Sequence, residues 1–185
     1  FSLDDKRDAY RQAILHGCKA ELQQRVCEQV LGWGAANGRV GMPYLARSES
    51  EKDLNALRHF FKGNWHEFSG ALGPIARKQV RVATAECLGD LDHYQDTMVV
   101  VSLLLESGDY AHDREGQIHR LIEGAKAALM LGELDAADRF IRSCETLGPG
   151  RSEDIRAVLQ TIAAISAALR GNSSRAHELF REAQI

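Results

Sequence analysis

The chain has 185 residues, of which 44% are hydrophobic and 26% charged, and its 23 Lys and Arg against 26 Asp and Glu give a formal net charge of -3. This composition is typical of a globular protein and excludes a disordered tail, a collagen-like repeat and a disulfide-rich miniprotein. Because acidic and basic residues are mixed along the chain, no strong positive field is expected, and nucleic acid is not a predicted partner.

The N-terminal segment carries a helical pattern. Apolar residues recur every four positions between Leu3 and Leu31, which predicts a helical stripe that Gly17 could break into two helices. The glycine-rich stretch from Gly32 to Arg47 predicts a linker. We therefore expect residues 1–36 to form a helical cap or a dimerisation element, and residues 37–48 to connect it to the rest of the chain.

From residue 49 onward, apolar residues with a 3.6-residue period alternate with short turns, which predicts an all-α repeat domain over residues 49–185. Eight helices are predicted there, over residues 50–62, 65–73, 75–88, 91–107, 116–131, 134–147, 152–170 and 173–184. Val99, Val100 and Val101 would also suit a strand, but a lone strand among helices leaves its backbone groups unpaired, so a helix is preferred. Turns this short predict antiparallel helix hairpins.

Four of the predicted turns share one construction, in which a helix ends on a glycine, a polar residue follows and a second helix begins. The glycines are Gly63, Gly89, Gly132 and Gly171. Glycine suits this place because it adopts the left-handed conformation that often ends a helix. The intervals between these glycines are 26, 43 and 39 residues, with an average of 36.

With these turns, residues 49–185 resemble the tetratricopeptide repeat family, whose unit is a pair of antiparallel helices of about 34 residues with small residues at the packing positions. The third unit carries the pattern in Ala125, Gly132, Ala137, Ile141 and Pro149, and the last in Ala164, Gly171, Ala176, Phe180 and Ala183. The first two units are degenerate, because Phe68 and Tyr94 stand where a small alanine is usual. The alternative is an irregular helical bundle in which such turns recur by chance.

The resemblance implies a short α-solenoid, in which stacked helix hairpins offer a groove to a segment of a partner protein. It places eight residues on that groove: Leu57, Ala83, His119, Ile122, Lys126, Thr161, Ile162 and Ile165. The family's clamp of Lys, Asn and Arg residues for a C-terminal carboxylate is not reproduced at these positions. Apolar contacts are therefore expected to hold the ligand.

The predicted helix over residues 152–170 is apolar around most of its circumference. Such a helix has to be covered on every side. Either the neighbouring helices cover it completely, or one side of it faces a groove that a partner fills.

The sequence contains no recognisable catalytic or cofactor motif. The glycine run from Gly32 to Gly38 loosely resembles a dinucleotide-binding loop, but a helix precedes it where that motif requires a strand. GxxxxGK[ST], HExxH and GxSxG are absent, and no two histidines have the i, i+4 spacing of a helical metal site. The four cysteines, Cys18, Cys27, Cys87 and Cys144, are too scattered for a disulfide framework and are expected to be buried. We expect no enzyme activity, cofactor or metal.

The first ten residues are rich in charge, and no apolar run approaches the roughly twenty residues that a membrane-spanning helix needs, so a cytoplasmic protein without membrane contact is expected. The leading hypothesis is a non-catalytic adaptor or chaperone that holds a peptide or helix of a partner protein, since small bacterial chaperones of the tetratricopeptide type have this size and composition. A second hypothesis is the sensing or oligomerisation domain of a longer transcription regulator, a third is an enzyme, and a homodimer is a further option.

Overall fold

The computed structural model describes residues 3–31, 49–107, 114–148 and 153–183, and every regular element in these ranges is a helix. Nine α-helices lie in the described ranges: α1 (Leu3–Lys19), α2 (Gln23–Val26), α3 (Ser50–Leu57), α4 (Pro74–Asp90), α5 (Tyr94–Glu106), α6 (Arg114–Met130), α7 (Leu134–Leu147), α8 (Glu153–Leu169) and α9 (Ser173–Ala183). A π-helical turn, Cys27–Leu31, continues α2, and a 3-10 turn, Arg58–Phe60, continues α3. The predicted all-α class is confirmed.

The three consecutive valines lie in α5, as predicted, and the side chains of Val100 and Val101 are fully buried there. Their burial against neighbouring helices outweighs the modest preference of β-branched residues for strands. None of the helices in the described ranges combines the length and the apolar character that crossing a bilayer demands.

The chain divides into two compact units, Phe1–Asp109 and Tyr110–Ile185. The first unit contains α1 to α5, and the second contains α6 to α9. The N-terminal helices belong to the same unit as α3, with which α1 is in contact, and the predicted boundary at residue 36 lies outside the described residues. The predicted connector, residues 37–48, lies outside the described residues, as does the glycine run from Gly32 to Gly38.

A buried ion cluster ties α1 to α3. The Arg11 guanidinium donates hydrogen bonds to Asp53 at 2.7 Å, to Glu49 at 2.6 Å and to Asp8 at 2.7 Å. Only 8% of Arg11 and 4% of Asp53 are exposed. Burial raises the pKa of Asp53 although Arg11 opposes the shift, whereas hydrogen bonds from Arg11 and Lys52 lower the pKa of Glu49 to about 2. Separating α1 from α3 would leave these charges without their partners, which explains why the two helices share one unit.

Four pairs of helices are joined by the same tight turn. In each pair an amide N–H after the first helix donates across five residues to a carbonyl of that helix, which is the 6→1 hydrogen bond of a Schellman motif. These bonds run from Leu22 to Gly17, His93 to Leu88, Glu133 to Ala128 and Asn172 to Ala167, each at 2.9 Å. The left-handed residues of the turns are Glu21 (φ 58°), Asp92 (φ 58°), Gly132 (φ 74°) and Gly171 (φ 77°).

Two glycines have roles that differ from those predicted. Gly89 lies inside α4, which continues to Asp90, and Asp92 takes the left-handed place three positions later. Aspartate tolerates this conformation better than most side chains do, so the turn forms without glycine. Gly17 does not break α1; instead, α1 approaches Val26 so closely at Gly17 that a β-carbon would overlap the valine side chain.

Residues 65–73, where a helix is predicted, form no helix. The chain turns back on itself after α3, and a single bridge pairs Phe61 with Phe68. Gly63 has a φ of 82°, and Asn64 accepts hydrogen bonds through Oδ1 from the backbone N–H groups two and three residues further on, at 3.0 and 3.3 Å. The segment has the apolar spacing of a helix but forms a short hairpin, because the asparagine side chain stabilises a turn that competes with a helix.

In the second unit, small residues lie where the helices pack. α7 contacts both α6 and α8, and α8 also contacts α6 and α9. Burial is nearly complete for the predicted small residues Ala125, Ala137, Ala164 and Ala176. A β-carbon on Gly124 of α6 would stand 2.9 Å from the ring of Phe140 on α7, so any larger residue there would require the ring to move. Phe180, in contrast, is 41% exposed, and Pro149 lies outside the described residues.

Candidate partner-binding face

Half of the eight residues predicted to line a groove belong to the core. The exposed fraction is 0% for Leu57, 1% for Ala83, 4% for Ile122 and 4% for Ile162. These side chains hold helices together and offer no surface to a partner. Leu57 and Ala83 also lie in the first unit, whereas the other six candidates lie in the second.

The remaining four candidates are accessible to different degrees. On α6, His119 and Lys126 are exposed. On α8, Ile165 is 39% exposed and Thr161 is half-buried. Because α6 and α8 are in contact, these four residues mark the part of the second unit where a binding surface can form.

The two helices occupy equivalent places in successive helix pairs. The left-handed glycine after α8, Gly171, follows the one after α6, Gly132, by 39 residues. The same offset relates three exposed residues of α6 to three exposed residues of α8: His119 to Val158, Lys126 to Ile165 and Met130 to Leu169. Each helix therefore presents one exposed row in the same register. We call these six residues the α6–α8 face.

The two sides of α8 are both apolar but differ in burial. Ile155, Leu159 and Ile162 point into the unit and are at most 8% exposed. On the other side, the exposed fraction is 39% for Val158, 39% for Ile165 and 57% for Leu169. The described residues of this chain therefore do not cover α8 completely.

An ion network fixes the C-terminal end of α8 against α7. Arg170 donates through Nη2 to Asp135 at 2.7 Å and lies 2.9 Å from Asp138, and the hydroxyl of Ser166 donates to Asp138 at 2.7 Å. The hydrogen bond from Arg170 lowers the pKa of Asp135 below its ordinary value. These contacts tie the C-terminal end of α8 to α7.

Three residues of the face were not predicted from the sequence: Met130, Val158 and Leu169. Met130 is 63% exposed, although its neighbours along α6 are largely buried. The signal that locates all three is the 39-residue offset between the last two turns. It relates the positions i, i+7 and i+11 of α6, counted from His119, to those of α8, counted from Val158. The groove residues predicted from the family pattern were chosen without this offset.

The described residues show little that is typical of an active site. All four cysteines are buried and unpaired with one another, and burial raises the pKa of Cys18 to about 11 and that of Cys27 to about 12. Thiols in such surroundings remain protonated and unreactive. Within the described ranges, no group of three or more His, Cys, Asp or Glu side chains is placed to hold a metal ion.

Comparison with known proteins returns no relative: no protein family, no curated protein and no solved structure matches this chain.

Proposed function

We propose that this chain is a non-catalytic helical-repeat protein, similar to tetratricopeptide repeat proteins, that acts as an adaptor or chaperone. In this proposal α6 to α9 are two successive hairpins of a short α-solenoid, and the α6–α8 face binds an apolar helix or extended segment of a partner protein. The observation that supports it is the exposed apolar row of Val158, Ile165 and Leu169 on a helix whose other side is already in the core.

The row has the dimensions of a helix-binding surface. Val158 and Leu169 are eleven residues apart on α8, which corresponds to roughly 16 Å at the α-helical rise. An amphipathic partner helix with apolar residues at i, i+4, i+7 and i+11 spans the same length. Each contributes apolar surface whose removal from water stabilises a complex by about 25 cal/mol per Å².

The α6 half of the face differs in chemistry from the α8 half. Lys126 and His119 are polar, and Lys126 is paired with Glu123 at 3.2 Å on the same helix. A polar rim beside an apolar row is typical of protein interfaces. We therefore expect the partner segment to be apolar along α8 and polar along α6.

Site-specific photocrosslinking tests the proposal and identifies the partner in the same step. A benzophenone amino acid replaces Ile165 or Val158 in cells of the source organism, and covalent adducts are identified by mass spectrometry. The matched control places the same group at Arg156, which is exposed on another side of α8. We expect one defined protein to be attached at positions 165 and 158 and not at 156. The same adducts from all three positions would refute the proposal.

A substitution series separates binding from folding. Ile165→Glu adds a charge at a half-exposed position and is expected to abolish capture of that protein while the helical circular-dichroism signal persists. Ile162→Glu, one turn away and only 4% exposed, is expected to unfold the second unit, because it buries an unpaired charge. Arg156→Glu should leave both properties unchanged. If Ile165→Glu retains full binding, the α6–α8 face is not the site.

A further inference from the structure

The first unit contains a pocket that the proposed function does not use. It has a volume of about 410 Å³ and is lined by Arg58, Phe61, Gly63, Asn64, Trp65 and Asp96. Arg58 comes from the turn that continues α3, the next four residues from the hairpin after it, and Asp96 from the first turn of α5. A pocket of this size accommodates a small molecule and not a folded segment of a partner.

Aromatic rings form the apolar wall of the pocket. The rings of Phe61 and Trp65 meet edge to face with centroids 5.2 Å apart, and Phe61 stacks on Phe68 at 4.9 Å. Arg81 lies over the far ring, Phe68, at 5.0 Å. This cluster leaves Trp65 half-buried at the pocket, where one more planar or apolar group can pack on it.

The hairpin that carries the rings is held by its own backbone. Lys62 N–H donates to the carbonyl of Glu67 at 2.9 Å, and Ser69 N–H donates to that of Phe60 at 2.8 Å. The Ser69 hydroxyl also donates to the His59 carbonyl at 2.9 Å. The aromatic wall is thus positioned before any ligand arrives, which reduces the conformational entropy that binding costs.

Two opposite charges face this pocket, and neither pairs with the other. Arg58 lies over the Trp65 ring with its guanidinium carbon 5.6 Å from the ring centroid. A guanidinium stacked in this way keeps its in-plane N–H groups for a carboxylate. Asp96 stands in the first turn of α5, at the positive end of the helix dipole. No hydrogen bond or ion pair joins either side chain to another described residue.

We infer that this pocket binds a free α-amino acid with an aromatic or large apolar side chain. Its carboxylate accepts hydrogen bonds from Arg58, its ammonium group donates to Asp96, and its side chain packs against Phe61 and Trp65. A single positive and a single negative group beside an aromatic wall complement a zwitterion, whereas an anion or a cation alone would leave one of the two protein charges unpaired and partly desolvated. The site is independent of the α6–α8 face.

Fluorescence of Trp65 in the full chain tests the inference. Trp33, the second tryptophan, is replaced by Phe, and L-phenylalanine is added up to about 10 mM, tenfold above a Kd of about 1 mM that marks weak binding. Excitation at the red edge of tryptophan absorption excludes signal from the ligand. We expect a saturable change in emission. A linear change, or none, over this range would overturn the assignment.

Blocked ligands identify which protein charge meets which ligand charge. N-acetylphenylalanine lacks the ammonium group and phenylalaninamide lacks the carboxylate, so each should bind about tenfold more weakly than phenylalanine. Asp96→Asn should weaken the binding of phenylalanine about tenfold and leave that of N-acetylphenylalanine unchanged. Arg58→Gln should likewise weaken the binding of phenylalanine about tenfold, and it should leave that of phenylalaninamide unchanged. Arg139→Gln and Asp154→Asn, exposed charges of the second unit, are the matched controls.

The outcomes are decisive in both directions. Equal affinities for phenylalanine and its two blocked forms would show that an aromatic group alone is bound, and the amino acid assignment would fail. If Arg58→Gln lowers the melting temperature, the Asp96→Asn series with its two ligands still decides the ammonium contact. Loss of binding in the two control variants would likewise overturn the assignment, because those charges lie outside the pocket.

Discussion

Replacement of Arg11 by methionine removes the cation from the buried cluster between α1 and α3. Asp53, only 4% exposed, then loses the guanidinium that donates to it at 2.7 Å. Breaking a buried ion pair by removal of one partner costs about 3–5 kcal/mol. Because burial already raises the pKa of Asp53, this carboxylate can relieve part of that cost by taking up a proton. We therefore expect a loss near the lower end, about 3 kcal/mol.

Urea unfolding followed by tryptophan fluorescence measures this loss in the correct unit, because both tryptophans of the chain belong to Phe1–Asp109. The control is Arg7→Met, one turn earlier on α1. Arg7 contacts Asp4 at 3.3 Å, whose side chain is 79% exposed, and approaches Glu49 of the cluster only to 4.0 Å, so we expect its loss to cost about 1 kcal/mol, less than the loss of Arg11.

A double variant completes the cycle. Adding Asp53→Leu to Arg11→Met removes the stranded carboxylate and fills its volume with an apolar group, so the pair should be more stable than Arg11→Met alone. The reasoning fails if Arg11→Met costs less than the Arg7 control, or if the double variant is as unstable as the sum of its two single changes.

Three further predictions concern pH, thiols and turns. The pKa of Glu49 falls from an ordinary 4.5 to about 2 on folding, so this carboxylate stabilises the first unit above pH 4.5, and the contribution disappears as the pH drops toward 2. When the urea midpoint is plotted against pH, Glu49→Gln should therefore reduce its fall at acid pH. An unchanged fall in the variant would contradict the ion cluster. Burial raises the pKa of every cysteine, so a thiol reagent should label native protein only as fast as it unfolds, and rapid labelling of any one thiol would contradict this burial. Gly132→Ala should cost about 1–2 kcal/mol of stability and Glu21→Gly should add up to about 1 kcal/mol, measured by thermal melting, because both positions are left-handed; two unchanged melting temperatures would rule out strain at these turns.

The helical periodicity predicted most of the elements and the two glycine turns of the second unit. Gly132 and Gly171 are both left-handed, and the small residues around them pack as expected. These features are local, because a glycine that follows an apolar stripe often ends a helix in the left-handed conformation. Local patterns of this kind are the features that a single sequence predicts best.

The turns at Glu21 and Asp92 have the same geometry without a left-handed glycine, so the sequence pattern placed these breaks a few residues too early, at Gly17 and Gly89. Their left-handed conformation is imposed by the packing of the flanking helices, which a local pattern does not record. The hairpin at Phe61 and Phe68 escaped prediction for a related reason. Its aromatic residues have a spacing that suits a helix, and the competing turn depends on one side chain, Asn64.

The candidate face was predicted only in part because exposure depends on the neighbours of a helix. Ile162 and Ile165 are both isoleucines on α8, yet one is 4% and the other 39% exposed. Nothing in the two positions taken alone separates them. The packing of α8 against its neighbours, with Ile155 and Leu159 on the same buried side as Ile162, decides which of them reaches solvent.

Under the proposed function, the shared register of α6 and α8 makes the exposed rows of the two helices interchangeable. Substituting three surface positions of α6 with the residues found 39 places later would lengthen the hydrophobic strip while every buried alanine stays untouched. In the proposed function, partner preference can thus change by drift or by design at exposed positions, without any change to the buried residues that hold the helices together.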